Sequence, residues 1–277
     1  MKRCFSTLCC LEAAPGQVTE YALAGGMQGV EIRVNEKGET MGGCTAADGK
    51  NLGAGFARAG LTVTDLALSC SIREYSAAQI KIGRQGMDFA AAMGAGAVRI
   101  FVGAHQNRLS EKVNNDTEGI LRAIGELSDY GKEKGVALWL ETHSSFSSGK
   151  AMRELLDAVQ RENVRVIWDV IHSMEYRETP EETAAYLGSA IAHVHLKDGR
   201  PGPDADAAQF VHTDLGQGTV PVDRVLAALE KTGYDGFYSL EWESPWRDEI
   251  RSLYPDVNDL LASYNRFLDA GIAACSR

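Results

Sequence analysis

The sequence predicts an α/β fold: a single-domain (β/α)8 TIM barrel spanning residues 1–277. Three observations lead there. Eight short apolar runs alternate with stretches of helical periodicity. Most of those runs are apolar nearly throughout, as strands covered on both faces of a parallel sheet must be. No linker, low-complexity segment or shift of composition divides the chain, and 277 residues suit one α/β barrel.

The expected strands are CFSTLCC (4–10), GVEIRV (29–34), LTVTDLALS (61–69), AVRIFVG (97–103), VALWLETH (136–143), VRVIWDVIH (164–172), IAHVHLKD (191–198) and GFYSLEWE (236–243). Between them, Ile80, Gly83, Met87 and Ala90 recur at helical spacing, as do Ile120, Ile124 and Leu127, then Val222, Val225, Leu226 and Leu229. A last helix carries Val257, Leu260, Leu261, Tyr264 and Leu268. Gly94, Gly135 and Gly233 stand where a helix should stop before the next strand. Residues 35–55 are polar and Gly-rich, which predicts a long loop before a short helix. The longest loop, 199–220, precedes a helix starting near Pro221. A doubly wound open sheet is the structural alternative, but it calls for a Gly-rich turn after the first strand, and CCLEAAPG is not one.

Composition narrows the function. The net charge is −10 with no Lys/Arg run, so the basic stripe expected of a nucleic-acid partner is missing. No apolar stretch is long enough to span a bilayer, and the start MKRCFSTLCC is too short and too broken for a signal peptide. The six cysteines form no CxxC and no disulfide framework, so they read as reduced thiols of a cytoplasmic protein.

The strand ends carry the chemistry. A βα barrel brings the C-terminal tips of its strands to one mouth. The fifth strand ends in Glu141 and His143, and the sixth in Asp169 with His172 three residues on. The seventh carries His193, His195, Lys197 and Asp198, and the eighth ends in Glu241 and Glu243. Three carboxylates and one imidazole from separate strands make a divalent-metal site. The oxygen-rich set favours Mn2+, with Mg2+ and Co2+ close behind and Zn2+ open; no Cys ligand points to structural zinc. Structural readings stand beside each residue. Glu141 alone would serve as a salt-bridge partner of Arg99 or Lys197, and Asp169 as a turn cap. His193 lies one inward-facing position deeper than His195, which predicts a packed, hydrogen-bonded interior His. Lys197 and Asp198 orient ligands or form a surface ion pair. Arg99 is costly to bury unpaired and should meet a site carboxylate or an anionic substrate group. Trp139, Trp168 and Trp242 are expected in the core, with Trp246 as a roof over a sugar face. His105 and His212 are expected in solvated rim loops. The GQG of LGQGTVP lacks the third glycine and the preceding strand of a dinucleotide fingerprint.

VRIF, LWLETH, VIWDVIH, HVHLKDGR, LGQGTVP and YSLEWE together resemble the strand-end motifs of the sugar phosphate isomerase/epimerase family, in the xylose-isomerase-like barrel superfamily. The resemblance covers essentially the whole chain and is sharpest over 97–243. It implies metal ligation by Glu141, Asp169, His195 and Glu241, and substrate contacts from His172 and an Arg after the seventh strand, nearest matched by Arg200. His143, Lys197, Glu243, Arg99 and Trp246 complete the expected substrate-facing set. Ketose 3-epimerases carry a second Glu six residues past the fifth-strand ligand; Ser147 stands there instead.

These residues suit proton transfer through a metal-bound enediolate, with Glu141 and Glu241 as the acid–base pair. The expected activity is isomerisation or epimerisation of a small sugar, keto-sugar or polyol derivative. Dehydration of a keto-inositol-like polyol is the neighbouring alternative. A non-catalytic ligand-binding barrel and an endonuclease-type relative rank behind it: the endonuclease needs more ligands from the early strands, where Glu31, Arg33 and Asp65 are the main offers. A homodimer is a possible assembly.

Overall fold

In the computed structural model, which describes residues 1–275, eight parallel strands close into a barrel. They are β1 (Lys2–Ser6), β2 (Gly29–Val34), β3 (Thr62–Ile72), β4 (Ala97–Val102), β5 (Ala137–Glu141), β6 (Val164–Asp169), β7 (Ile191–Leu196) and, after a two-stranded hairpin, β10 (Phe237–Leu240). The hairpin is β8 (Gly199–Pro201) paired antiparallel with β9 (Phe210–His212). β1 closes the ring between β2 and β10. The α/β barrel expected from sequence is the fold observed.

The helices are α1 (Pro15–Ala24), α2 (Gly49–Arg58), α3 (Ala77–Met93), α4 (Thr117–Lys134), α5 (Gly149–Val159), α6 (Val170–Glu175), α7 (Pro180–Leu187), α8 (Val222–Lys231) and α9 (Val257–Cys275). Side-chain caps start several of them: Ser76 before α3, Asp116 before α4, Ser148 before α5, and a Thr179–Glu182 capping box before α7. Gly94 (φ 77°) and Gly135 (φ 69°) end α3 and α4 in the left-handed region, as their positions in the sequence predicted. Leu66, Leu68, Ile100, Leu138, Val166 and Leu196 are buried against Met87, Ile124, Leu127 and Leu229 of the surrounding helices. This packing holds the strand tips in place.

Several boundaries differ from the sequence reading. The first strand stops at Ser6, whose Oγ accepts from the Leu8 amide at 3.4 Å and turns Thr7–Cys10 into a 3-10 turn. β6 stops at Asp169, and His172 lies in α6 rather than on the strand. The 35–55 segment is partly helical, with two 3-10 turns leading into α2 at Gly49. The 199–220 loop holds the β8–β9 hairpin.

α2 crosses α3 closely because Gly53 has no side chain: a Cβ there would sit 1.9 Å from the Met93 carbonyl oxygen. Gly53→Ala should therefore force the helices apart and destabilise the protein by about 1–3 kcal/mol in urea unfolding. Gly16→Ala, with nothing within 4 Å of the added Cβ, should change stability by less than about 1 kcal/mol.

Candidate metal centre

The mouth of the barrel is built from strand tips. Glu141 is the last residue of β5 and Asp169 the last of β6, while Glu241 follows β10 directly. His195 pairs in register with Asp169 on one side and Ser239 on the other. One ligating atom from each of Glu141, Asp169, His195 and Glu241 lies within 4.8 Å of the others, and all four residues are buried. His195 Nδ1 is the hub, 3.4 Å from Glu241 Oε2, 3.8 Å from Asp169 Oδ2 and 4.0 Å from Glu141 Oε2.

Glu31 sets which ring nitrogen faces that hub. Its Oε2 lies 2.6 Å from His195 Nε2. In the neutral ring that ligation of an ion requires, with the Nε2 hydrogen donated to Glu31, Nδ1 would present a lone pair to the mouth. Sequence reasoning treated Glu31 only as a sparse early-strand acid. Its signal was a charged residue inside the largely apolar run GVEIRV, which also holds Arg33; the same signal singled out Arg99 in VRIF.

The donor set fits a cation. Glu141 Oε2, Asp169 Oδ2 and His195 Nδ1 are buried without a hydrogen-bond partner. Buried polar atoms that converge without hydrogen bonds are costly in a protein interior, and a divalent ion would offset that cost. Asp169 divides its work between its two oxygens: Oδ1 accepts from the Ile171 and His172 amides and caps α6, while Oδ2 turns into the mouth. Both sequence readings of Asp169, cap and ligand candidate, describe one oxygen each.

Two cations flank the carboxylates. Arg99 Nε lies 3.1 Å from Glu141 Oε2 and Nη2 lies 4.0 Å from Glu241 Oε1, the site pairing expected for a buried Arg. Lys197 Nζ is 2.5 Å from Glu241 Oε2 and 2.7 Å from Asp169 Oδ2, and it also bonds Glu243. The Asp169 contact is an ion pair without hydrogen-bond alignment. Lys197 is buried in the centre of the site, so it forms no surface pair.

These charges divide the two glutamates. Burial pushes the Glu141 carboxyl up to about 7, opposed by Arg99 and assisted by the Glu241 charge. Burial also acts to raise Glu241, but His195 and Lys197 outweigh it and hold that carboxyl well below the usual range. Asp169 is depressed in the same way, with His172 and Lys197 overcoming burial. For His195, burial is overcome by Glu241 and Glu31, which raise its pKa well above normal.

The other expected residues divide into those the fold brings to the mouth and those it does not. His172 Nδ1 donates to the Thr142 carbonyl at 2.8 Å, and the ring lines the cavity beside His143. Burial, then the His172 and Arg99 charges, lower His143 to about 3, so it is neutral. Glu243 and Trp246 line the same cavity, and Trp246 is 57% exposed at its rim. Arg200 is displaced from the mouth: it is exposed on the hairpin and donates to the Gln217 carbonyl. Arg33 and Arg247 line the cavity in its place, and sequence reasoning did not place them there. Asp198 does not touch Lys197. It accepts from the amides of Gly199, Gly216, Gly218 and Val220, and so organises the GQG segment. His212 is buried rather than solvated, because β9 folds it inward, and burial lowers its pKa to about 4. His105 is exposed, as expected. Trp139 is only partly buried, unlike Trp168 and Trp242.

Below the mouth, His193 is buried, stacked on Trp139 at 5.6 Å, with Nε2 3.3 Å from Glu31 Oε2. Neither of its ring nitrogens is hydrogen-bonded, so the expected packing is present and the expected bonding is not. On β3, Asp65 accepts from Thr64 Oγ1 at 2.8 Å.

The chain belongs to the xylose isomerase-like TIM barrel family. The match runs over residues 20–257. No curated protein sequence matches the chain. Among solved structures, an L-ribulose 3-epimerase superposes with a TM-score of 0.78 at 16% identity, covering 100% of this chain and 96% of the other. The IolI protein with a bound zinc atom gives 0.76 at 18%, covering 99% of each. The probable 3-DHS dehydratase AsbF of Bacillus anthracis gives 0.71 at 18%, covering 94% and 96%. At these identities the likeness concerns the xylose isomerase-like fold. Among the described residues, no helix is long and apolar enough to cross a membrane.

Asp65 generates a pH prediction. Burial, then the Glu31 charge, raise its pKa from 3.8 to about 7. The folded protein thus holds a proton that the unfolded chain releases near 3.8, and the associated stability is lost as pH rises towards 7. Asp65→Asn should be stabilising relative to wild type by more at pH 8 than at pH 5, as read by urea unfolding of the metal-free protein.

Proposed function

We propose that this protein is a divalent-metal-dependent isomerase or epimerase acting on a small sugar, keto-sugar or polyol derivative. The observation that carries the reading is the convergence of Glu141 Oε2, Asp169 Oδ2 and His195 Nδ1, all buried and without a hydrogen bond among the described residues, beside two glutamates of opposite protonation tendency. Glu141, Asp169, His195 and Glu241 would hold the ion. The oxygen-rich set suits Mn2+ first, with Mg2+, Co2+ and Zn2+ as the other candidates. When bound, the ion supplies Lewis-acid polarisation of a substrate carbonyl, which acidifies the adjacent C–H.

The chain's own groups then divide the proton work. Glu241, held ionised by His195 and Lys197, is suited to remove the proton. Glu141, poised near neutrality, is suited to deliver one. One C–H bond breaks and one forms, so the substrate changes configuration or moves its carbonyl without changing composition. His172, His143 and Trp246 line the cavity where the remaining hydroxyls would sit. The cavity is about 230 Å3, below the roughly 300–1,000 Å3 of drug-sized sites, which favours a small substrate. A second reading, loss of a β-hydroxyl as water, is favoured by His172: burial acts to lower its pKa, but Asp169 and Glu175 outweigh it and keep the ring an available acid.

Three measurements test this. Elemental analysis should find about one divalent ion per chain, lost in an Asp169→Ala/His195→Ala double variant. Glu31→Gln should weaken metal affinity by roughly 10- to 100-fold through His195, without removing a ligand. Glu141→Gln and Glu241→Gln should each lower turnover by at least about 100-fold while the fold persists. Turnover is read as deuterium uptake from D2O at the carbon beside the carbonyl, and water loss as an unsaturated product. Full exchange in both variants would sink the two-carboxylate mechanism.

A further inference from the structure

Arg33 stands apart from every other cation of the mouth. Arg99, Lys197 and Arg247 each meet a carboxylate: Glu141, Glu241 and Glu243 respectively. No carboxylate oxygen lies within 4.0 Å of Arg33 among the described residues, although the side chain is largely buried and lines the same cavity. A guanidinium taken out of water without a counter-ion is costly. Burial, and next the Arg99 charge, pull its pKa down to about 10, the direction expected of an unpaired cation.

Its hydrogen bonds show which edge is spare. Nη1 donates to the carbonyls of Val34 and, at 2.9 Å, Ala67; Nη2 donates to Ser69 Oγ at 2.6 Å. These three bonds fix the plane of the group against the ends of β2 and β3. A guanidinium has five N–H donors, so Nε–H and one Nη2 hydrogen remain without an acceptor among the described residues. Adjacent donors of this kind match the two oxygens of a carboxylate or phosphate. The Trp246 ring covers the guanidinium at 5.7 Å and leaves the cavity as the approach. The carboxylates of the mouth are committed to Arg99, Lys197 and the candidate ion. The counter-ion for Arg33 must then arrive with the ligand.

We propose that Arg33, under Trp246, is an anion-binding subsite of the mouth and that the substrate carries an oxyanionic group, a carboxylate or a phosphate ester. This rests on the metal-dependent reading for the word substrate, but the anion site itself does not require it. The subsite makes Arg33 a specificity determinant that separates acidic sugars from neutral ones.

The test is calorimetric titration of Mn2+-loaded and of EDTA-treated protein with inorganic phosphate, glycolate and glycerol, followed in parallel by tryptophan fluorescence with Trp246→Phe as the control. At least one anion should bind more tightly than glycerol in both preparations and should change the Trp246 signal. Arg33→Met should weaken that anion by roughly 10- to 100-fold, with glycerol unaffected. Arg33→Lys keeps the charge and loses the fork, so it should fall between; it also carries the test if Arg33→Met does not fold. A preference for glycolate identifies a sugar acid, and a preference for phosphate identifies a phosphate ester. Equal anion affinity in wild type and either Arg33 variant would overturn the proposal, as would no anion bound better than glycerol. Failure to take up any divalent ion would remove the isomerase reading alone, since Arg33-dependent binding to EDTA-treated protein would still stand.

Discussion

A 2.6 Å contact between Glu31 Oε2 and His195 Nε2 ties the second strand of the barrel to the seventh and determines which ring nitrogen faces the mouth. Everything at the candidate centre follows from that orientation. Nδ1 becomes the common neighbour of three carboxylates drawn from three other strand tips. The same contact holds Glu31 ionised: burial acts to raise its pKa, and His195 and His193 overcome that.

Gathering so much charge inside a barrel has a thermodynamic cost, and the fold meets it by local pairing rather than by exposure. Arg99 on β4 and Lys197 just beyond β7 reach the carboxylates from opposite sides. Asp169 spends one oxygen on the start of α6, and that helix brings His172 to the cavity. Thr142 binds both neighbours, accepting from the Asp169 amide through Oγ1 and from His172 through its carbonyl. The apolar layer between strands and helices, from Leu66 to Leu229, is the stabilising mass against which these polar groups are held.

Much of this was legible in the sequence because it follows from short-range periodicity. Uniformly apolar runs separated by helical spacing indicated a covered parallel sheet, and carboxylates or imidazoles at the ends of four runs indicated one mouth. Strand ends were harder to read. VIWDVIH stays apolar on both sides of Asp169, so the cap reading of Asp169 did not by itself show that the strand stops there and a helix begins. HLKDGR places Arg200 two residues beyond Asp198, but the β8–β9 hairpin carries the Arg outward. VHTDLGQG looked like a solvated loop, although Asp198 gathers its glycine amides from 18 and 20 residues away.

By itself the sequence determined the barrel, the direction in which its strands run, and the residue types that meet at its mouth, because alternation along a strand and closure of a parallel sheet are local and topological facts. Tertiary structure alone decided the pairings: Glu31 with His195, Arg99 with Glu141, Lys197 with Glu241, and Arg33 with no carboxylate among the described residues. Those depend on which side chains from distant strands share a few ångströms of low-dielectric space. Charge interactions there vary steeply with distance and burial, and no spacing along the chain encodes either.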